Sequence, residues 1–433
     1  MRKPIPASRL SRLSQLGQLA GGIAGGMVSE GARQIARGQR PGISDLLLTP
    51  GNVKRIADRL AQMRGAAMKL GQLISMDNGH LIPPQLSELL ARLRENAYAM
   101  PMLQLAEVLE SNWGSGWEKD FARFHFTPIA AASIGQVHRA DLKSGRRLAI
   151  KIQYPGVRRS IDSDVDNVGT LLNLFDLLPH GIDLGLLLSE AKQQLHQEAD
   201  YHHEAEAMQR FQNQLLDDRR ITVPSVVEEL TTAEVLAMEY LDGQPIEALA
   251  EMARPLRNQI ASTLLEIALK EVFDWGIVQT DPNFSNYLFQ PESGRIQLLD
   301  FGATRSYEPR LRKALLQLFS ASIDGEDGDI VRAAEAVGYL GDGDPADYQN
   351  AVIQLLRCAT EPARCSSAYA FAGSDLPQRM AEVVLEIRLK NRYNRLPPME
   401  ILFLHRKLAG LYLLFSRLDA SIEVRDISKT YQI

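Results

Sequence analysis

Gln279-Thr280-Asp281-Pro282-Asn283-Phe284-Ser285-Asn286, followed by Leu299-Asp300-Phe301-Gly302, is the stretch from which the rest of the chain can be read. An aspartate, four residues and an asparagine lie in a turn-rich loop between a long helical pattern and a strand. Asp300 comes fourteen residues after Asn286, at the end of the next hairpin strand. Phosphoryl transfer requires a divalent cation held on the phosphates and an oriented hydroxyl or water. Carboxylate and amide oxygens are hard ligands that suit magnesium, which keeps its other positions for phosphate and water. D-x-x-x-x-N with a strand-terminal D-F-G supplies these parts: Asp281 as base or orienter, Asn286 and Asp300 as metal ligands. Asp-Phe-Gly alone is a weak signal; its spacing from the loop and its place at a strand end give it weight. The bland alternative is a capping loop of Asx turns with no catalysis.

The upstream half agrees. Lys151 stands in Leu148-Ala149-Ile150-Lys151-Ile152, matching the V-A-I-K strand lysine that neutralises nucleotide phosphates. A lone strand lysine usually faces solvent; the downstream loop favours the functional reading. Its partner should be a helical glutamate, and Glu198, Asp200 and Glu204 lie in HQEADYHHEA within a helical pattern. On one continuous helix Glu198 and Glu204 would point about 120° apart, so only one of them can face Lys151. The residues themselves leave open which.

Working outward, helical periodicity runs from Val53 through Ile56, Leu60, Met63, Ala67, Leu70 and Ile74. Pro83-Pro84 and Pro101 open two more helices. FARFHF, ASIGQVHRADL and RRLAIKIQY then read as short strands, with a turn at Lys143-Ser144-Gly145. Long helical patterns follow to about Gln214, then strand-like TVPSVVEEL and EVLAMEYL, and a boundary near Asp242. NYLFQ and RIQLLDF form a hairpin, and helices fill the remainder. The order predicts a two-lobed α+β enzyme with a cleft. Four segments are expected: a leader (1–50), a helical extension (51–113), a strand-rich lobe with inserted helices (114–242), and a helical lobe carrying the catalytic loop (243–433).

The 433 residues carry a formal charge of −5 and 45% hydrophobic residues, which excludes global disorder and gives no reason to expect nucleic acid as a partner. Cys358 and Cys365 read as two reduced, buried thiols. In the leader, Arg2, Lys3, Arg9 and Arg12 precede the first carboxylate, Glu30. Residues 13–29 are uncharged, too few for the ~20 apolar residues of a spanning helix. Gly17, Gly21 and Gly25 recur every fourth residue, a spacing that permits close helix approach in lipid and a homodimer contact. A membrane-surface or dimerising helix competes here with a floppy leader and a cleaved targeting peptide. The last is disfavoured, since no A-x-A site follows an unbroken apolar run. His196, His202 and His203 lack a third ligand at suitable spacing; Trp113 and Trp117 read as packing, and Arg392 to Arg395 as solvated surface.

The chain resembles the UbiB-type atypical kinase family (AarF-domain, coenzyme Q biosynthesis kinase-like proteins) from about residue 50 to its end. Three further signatures carry the resemblance: K-x-G-Q at Lys69-Leu70-Gly71-Gln72, an alanine-rich loop at Ala130-Ala131-Ala132-Ser133, and E-x-D at Glu198-Ala199-Asp200. It implies a two-lobed, protein-kinase-like α+β fold with the N-terminal helical extension packed on the small lobe. It also implies Glu204 as the partner of Lys151, with Glu198 and Asp200 facing the Lys69–Gln72 helix as a regulatory pair of motifs. The alanine loop, Lys151, Glu239 and Leu241 are then the expected ATP contacts, and ATP and Mg2+ the cofactors.

Departures from ordinary protein kinases shape the expectation. Gly135 is the only glycine in the phosphate-covering turn, the loop reads Gln-Thr-Asp, and no A-P-E follows Asp300. The resemblance implies that the K-x-G-Q helix covers the cleft where a peptide would lie. An ATP- and magnesium-dependent atypical kinase or ATPase supporting ubiquinone biosynthesis is therefore expected, cytoplasmic and peripheral to the inner face of a bacterial-type membrane. Partners would be nucleotide, a quinone-like lipid, an anionic membrane surface and other quinone-biosynthesis proteins. The rivals are a nucleotide-binding scaffold without turnover and a small-molecule phosphotransferase of the aminoglycoside type.

Overall fold

The structure, a computed structural model, describes residues 60, 63–78, 100–174, 184–387 and 397–431. The leader, the helix expected at Pro83-Pro84, and Arg392 to Arg395 lie outside these residues. The described residues up to Ala205, with Val226–Tyr240, form one compact unit; Glu206–Ser225 with the residues from Leu241 onward form the other.

In the first unit α1 (Arg64–Asn78) and α2 (Met102–Trp113) precede β1 (Phe121–Phe124), β2 (Ala130–Ala131), β3 (Gly135–Leu142) and β4 (Arg147–Gln153). Then come α3 (Val157–Leu174), α4 (Leu184–Glu198) and the start of α5 (Tyr201–Gln214), which passes to the second unit at Glu206; β5 (Ile221–Thr222) belongs to the second unit, and β6 (Val235–Glu239) returns to the first. The sheet is antiparallel in the order β1-β3-β4-β6, with β2 on β3. Along β4 the side chains alternate faces. Leu148, Ile150 and Ile152 pack with Leu105, Leu109 and Trp117 into the core under α2. Lys151 therefore stands on the opposite face. Trp113, Trp117, Phe121 and Phe124 form a cluster of stacked, tilted and edge-on rings here, a packing role. Within the same unit α1 packs against α3 and α4, and Ala66, Ala67, Leu70 and Leu73 are buried. Full burial of a leucine such as Leu70 contributes about 1.5–3 kcal/mol.

Gly135 begins β3, opposite Gln153 of β4. A Cβ there would run into the carbonyl oxygen of Ile152, so the alanine loop can join the sheet only through a residue without a side chain.

The second unit contains β7 (Gln244–Pro245), α6 (Arg254–Lys270), a π-helical turn (Glu271–Trp275) and β8 (Ile277–Gln279). The hairpin β9 (Tyr287–Gln290) and β10 (Arg295–Leu298) sits in a sheet of order β5-β10-β9-β7, and β11 (Thr304–Ser306) pairs with β8. Helices α7 (Pro309–Asp324), α8 (Asp327–Val337) and α9 (Ala346–Ala359) then build a core around Leu315, Leu318, Ile330 and Val352. They are followed by α10 (Leu376–Leu385) and α11 (Met399–Arg417).

Three expectations need correction. The run TVPSVVEEL joins a strand only at its first residue, in β5; Pro224 has no amide to give a ladder, Val226 makes one isolated bridge to Met238, and Glu228–Leu230 forms a single 3-10 turn. HQEADYHHEA is not one helix: α4 ends at Glu198, and the carboxylate of Asp200 accepts the amide of His202 at 3.2 Å, capping α5. His196 is thereby separated from His202 and His203, and bonds to Asp162 at 3.0 Å. Cys358 and Cys365 are free but only half-buried, at the end of α9 and just past the turn Glu361–Arg364.

Candidate active site

In the first unit Lys151 is held from one side by Glu204 of α5. Its Nζ donates to both carboxylate oxygens, at 2.8 and 2.9 Å, with both side chains buried. The ammonium also lies 5.6 Å from the centre of the Tyr201 ring. A long flexible side chain on a central strand is thus fixed in one position, as a phosphate-binding lysine must be. Glu198, six residues earlier, serves a different lysine. One of its oxygens pairs with Lys69 of α1, and the other accepts from the Ser133 hydroxyl at 3.2 Å. One carboxylate therefore joins the K-x-G-Q helix to the alanine loop.

Asp200 does not share that role. Besides capping α5, it accepts from Arg158 of α3 at 3.5 Å; its position between two helices turns it to the cap. Gln72 is half-buried on α1. Ala130 and Ala131 are exposed and form β2, and the Ala132 amide donates to Gly135 O at 2.9 Å. Glu239 closes β6 opposite Leu148, and Leu241 follows two residues later in the second unit.

The second unit brings the other three residues together. The hairpin register pairs Tyr287 with Leu298, which sets Asn286 and Leu299 opposite each other; the Leu299 amide donates to Asn286 O at 3.0 Å. Asn286 and Asp300 thus emerge at the same end of the hairpin. Asn286 Nδ2 donates to Asp281 Oδ2 at 3.1 Å, which leaves its amide oxygen as the atom a cation would take. Asp300 Oδ1 accepts the Gly302 amide at 3.1 Å. Among the described residues no group of three or more His, Cys, Asp or Glu side chains could hold a metal. One carboxylate and one amide nevertheless fit magnesium, which draws its remaining ligands from phosphate and water. Nearby, burial and the charges of Glu271 and Asp281 push the Tyr287 phenol upward, so it stays a neutral hydroxyl.

Sequence reading missed what stands behind the loop. Arg406 of α11 pairs with Asp281 Oδ1. Gly410, one turn on, lets α11 approach so closely that a Cβ would overlap the Pro282 ring. Arg417 lies 5.0 Å from the centre of the Phe284 ring. Positions 406, 410 and 417 share one helix face, so α11 braces the loop along its length. Just before them His405 is half-buried, bonded to the Tyr339 hydroxyl and pushed down to about 4 by desolvation, hence neutral. The signal was present: Ile401 to Phe415 is apolar except for His405-Arg406-Lys407 in its middle. Three such residues inside a packed helix call for buried partners.

Residues 92–334 match the model of the ABC1 atypical kinase-like domain. The chain belongs to the ABC1 atypical kinase-like family. It is 38% identical to the mitochondrial atypical kinase COQ8B of Rattus norvegicus, over 98% of this chain and 80% of that protein. The mitochondrial atypical kinase COQ8 of Saccharomyces cerevisiae is 35% identical, over 98% of this chain and 85% of its own. Against the mitochondrial atypical kinase coq-8 of Caenorhabditis elegans, identity is 37% over 96% of this chain, which spans 56% of that protein. The solved complex of Rv3197 with erythromycin from Mycobacterium tuberculosis covers 87% of this chain and 95% of its own, with a TM-score of 0.59 and 24% identity, a likeness of fold. The chain accordingly has the two-lobed, kinase-like α+β fold of the family, with α1 packed on the helices of the strand-bearing unit.

Proposed function

We propose that this chain binds ATP with magnesium and transfers or hydrolyses the terminal phosphate, in support of coenzyme Q biosynthesis at a membrane surface. The observation that carries the chemistry is the convergence of Asp281, Asn286 and Asp300 at one end of a hairpin. Asn286 and Asp300 would hold the cation, which when bound supplies charge neutralisation on the phosphate oxygens. Lys151, fixed by Glu204, would bind phosphate; the alanine loop, Glu239 and Leu241 would contact the nucleotide. Asp281 would orient the attacking oxygen. With one oxygen bonded by Asn286 and the other paired to Arg406, it is held in one orientation, as a positioning group requires. The pathway rests on the resemblance to the UbiB-type family and on the kinship to mitochondrial COQ8 kinases.

Attachment to the membrane would rest on the leader. Among the described residues no helix is long and apolar enough to cross a membrane. The four early basic residues would each add about 1 kcal/mol at most toward an anionic surface. The pairing of Arg406 with Asp281 favours a second reading, a nucleotide-binding scaffold without turnover.

A phosphate-release assay with ATP, with and without magnesium and anionic-lipid vesicles, separates these readings. Magnesium-dependent release, weakened on vesicles by deleting residues 1–40, is the expected result. Magnesium-dependent nucleotide binding with no release would establish the scaffold. Neither binding nor release would refute both.

A further inference from the structure

Behind the catalytic loop lies a buried ion pair that the phosphoryl-transfer reading leaves unused. Glu271 stands in the π-helical turn after α6 and Lys407 on α11; each is only 3% exposed. Lys407 Nζ is 2.5 Å from Glu271 Oε2. Both partners then converge on one residue, Gln279, the last of β8. Its amide N–H donates to Glu271 Oε2 at 2.8 Å, and its carbonyl accepts from Lys407 Nζ at 3.0 Å. The main chain of Gln279 is gripped at both ends by opposite members of the same pair. Its side chain reaches forward: Nε2 donates to the carbonyls of Asp281 at 2.8 Å and of Asp300 at 3.3 Å. These are the backbones of the proposed orienting carboxylate and the proposed metal ligand.

We propose that Glu271, Lys407 and Gln279 form a positioning assembly, in which the ion pair fixes Gln279 and the Gln279 amide sets the spacing between Asp281 and Asp300. The proposal deepens the phosphoryl-transfer reading and rests on it. A stability role explains the pair poorly, because burying two charges is expensive and apolar replacement of such a pair is often neutral or stabilising. Burial pushes the Glu271 carboxyl up, and the Lys407 ammonium beside it opposes that shift. Without Lys407, the Gln279 carbonyl would lose its donor, and Glu271 would take up a proton and accept the Gln279 amide more weakly. None of the three side chains donates to or accepts from the side-chain oxygens assigned to substrate or metal, so each acts through the backbone it holds.

Two variants separate positioning from structure. Glu271→Leu/Lys407→Leu removes both charges at once and leaves an apolar pair; Gln279→Met keeps the ion pair and the approximate size of the side chain but removes the forward donor. Urea unfolding, ATP turnover and the magnesium dependence of ADP binding are measured on each. For both variants the expected result is a cooperatively unfolding protein that is fully folded without urea and has an ATP KM within about threefold of wild type, with kcat down by about 100-fold and magnesium half-saturation raised about tenfold. Lys407→Arg should recover much of the loss seen in Lys407→Met. Wild-type magnesium dependence in either folded variant overturns the proposal, as does turnover that falls only as far as the folded fraction. Magnesium-dependent ADP binding is read without turnover, so a wild type that binds but does not turn over still decides the matter. A wild type that binds no nucleotide refutes the phosphoryl-transfer reading, and this proposal with it.

Discussion

Replacing Gly410 by alanine tests whether α11 braces the proposed catalytic loop. In an unconstrained helix the change would stabilise by about 1 kcal/mol, because glycine is a poor helix former. Here the added methyl group overlaps the ring of Pro282, a rigid group between Asp281 and Asn283, with the Pro282 Cα itself 3.5 Å away. Overpacking of this kind costs about 1–3 kcal/mol. The two effects largely offset each other, so the net loss of stability should be at most about 2 kcal/mol. Catalysis has no such compensation. The loop must retreat by on the order of 1 Å for the methyl to fit, and a displacement of that size costs about 100-fold in rate. Phosphate release under saturating MgATP reads kcat, and urea unfolding reads stability on the same preparation. A Gly410→Ala protein that turns over at the wild-type rate and unfolds at higher urea would refute the brace.

Further outcomes follow from other sites. Asp300→Asn should keep the fold, since an amide oxygen can still accept the Gly302 amide, yet lose magnesium-dependent ADP binding by about tenfold or more, measured by calorimetry with and without magnesium. Gly135→Ala should destabilise by about 1–3 kcal/mol or more, because the new methyl meets backbone of β4 on both near contacts; an unchanged urea midpoint would contradict the close approach of β3 to β4. His405, pushed down to about 4 from 6.5, binds fewer protons folded than unfolded between those values, so stability falls as pH drops through that window. The loss between pH 7 and pH 5 should be roughly 2 kcal/mol at most, and His405→Gln should remove it in paired urea titrations.

How much of this was legible in the sequence varies with the distance over which each interaction acts. The loop and strand residues were legible because their spacing is local: fourteen residues separate Asn286 from Asp300, and a single hairpin closes that gap. The Ile150 face of β4 followed from its alternation with Lys151. Glu198 and Glu204 could be told apart only by resemblance, since no glycine or proline marks the break at Asp200. Once the cap is seen, the argument from helical angle no longer applies: the two glutamates part company because they sit on different helices. Glu271, Arg406 and Lys407 left no local pattern. Lys407 meets Glu271 from 136 residues away, and only the three polar residues amid an apolar helix hinted at such partners. TVPSVVEEL misled in its extent: its β-branched residues favour extended backbone, but past Pro224 its pairing with β6 is a single bridge, Val226 to Met238.

The interruption at Asp200 also decides how the neighbouring motifs can drift over generations. In an unbroken helix, one inserted residue turns everything beyond it by about 100°, so two ion pairs on that helix would be locked into a shared phase. Between Glu198 and Glu204 that lock is absent. An extra residue beside Ala199 would lengthen a joint instead of rotating a shaft, leaving the Lys69 pair on one helix and the Lys151 pair on the other each in register with its own surroundings. The two lysine partners can therefore be gained, lost or retuned separately, although only five residues stand between them.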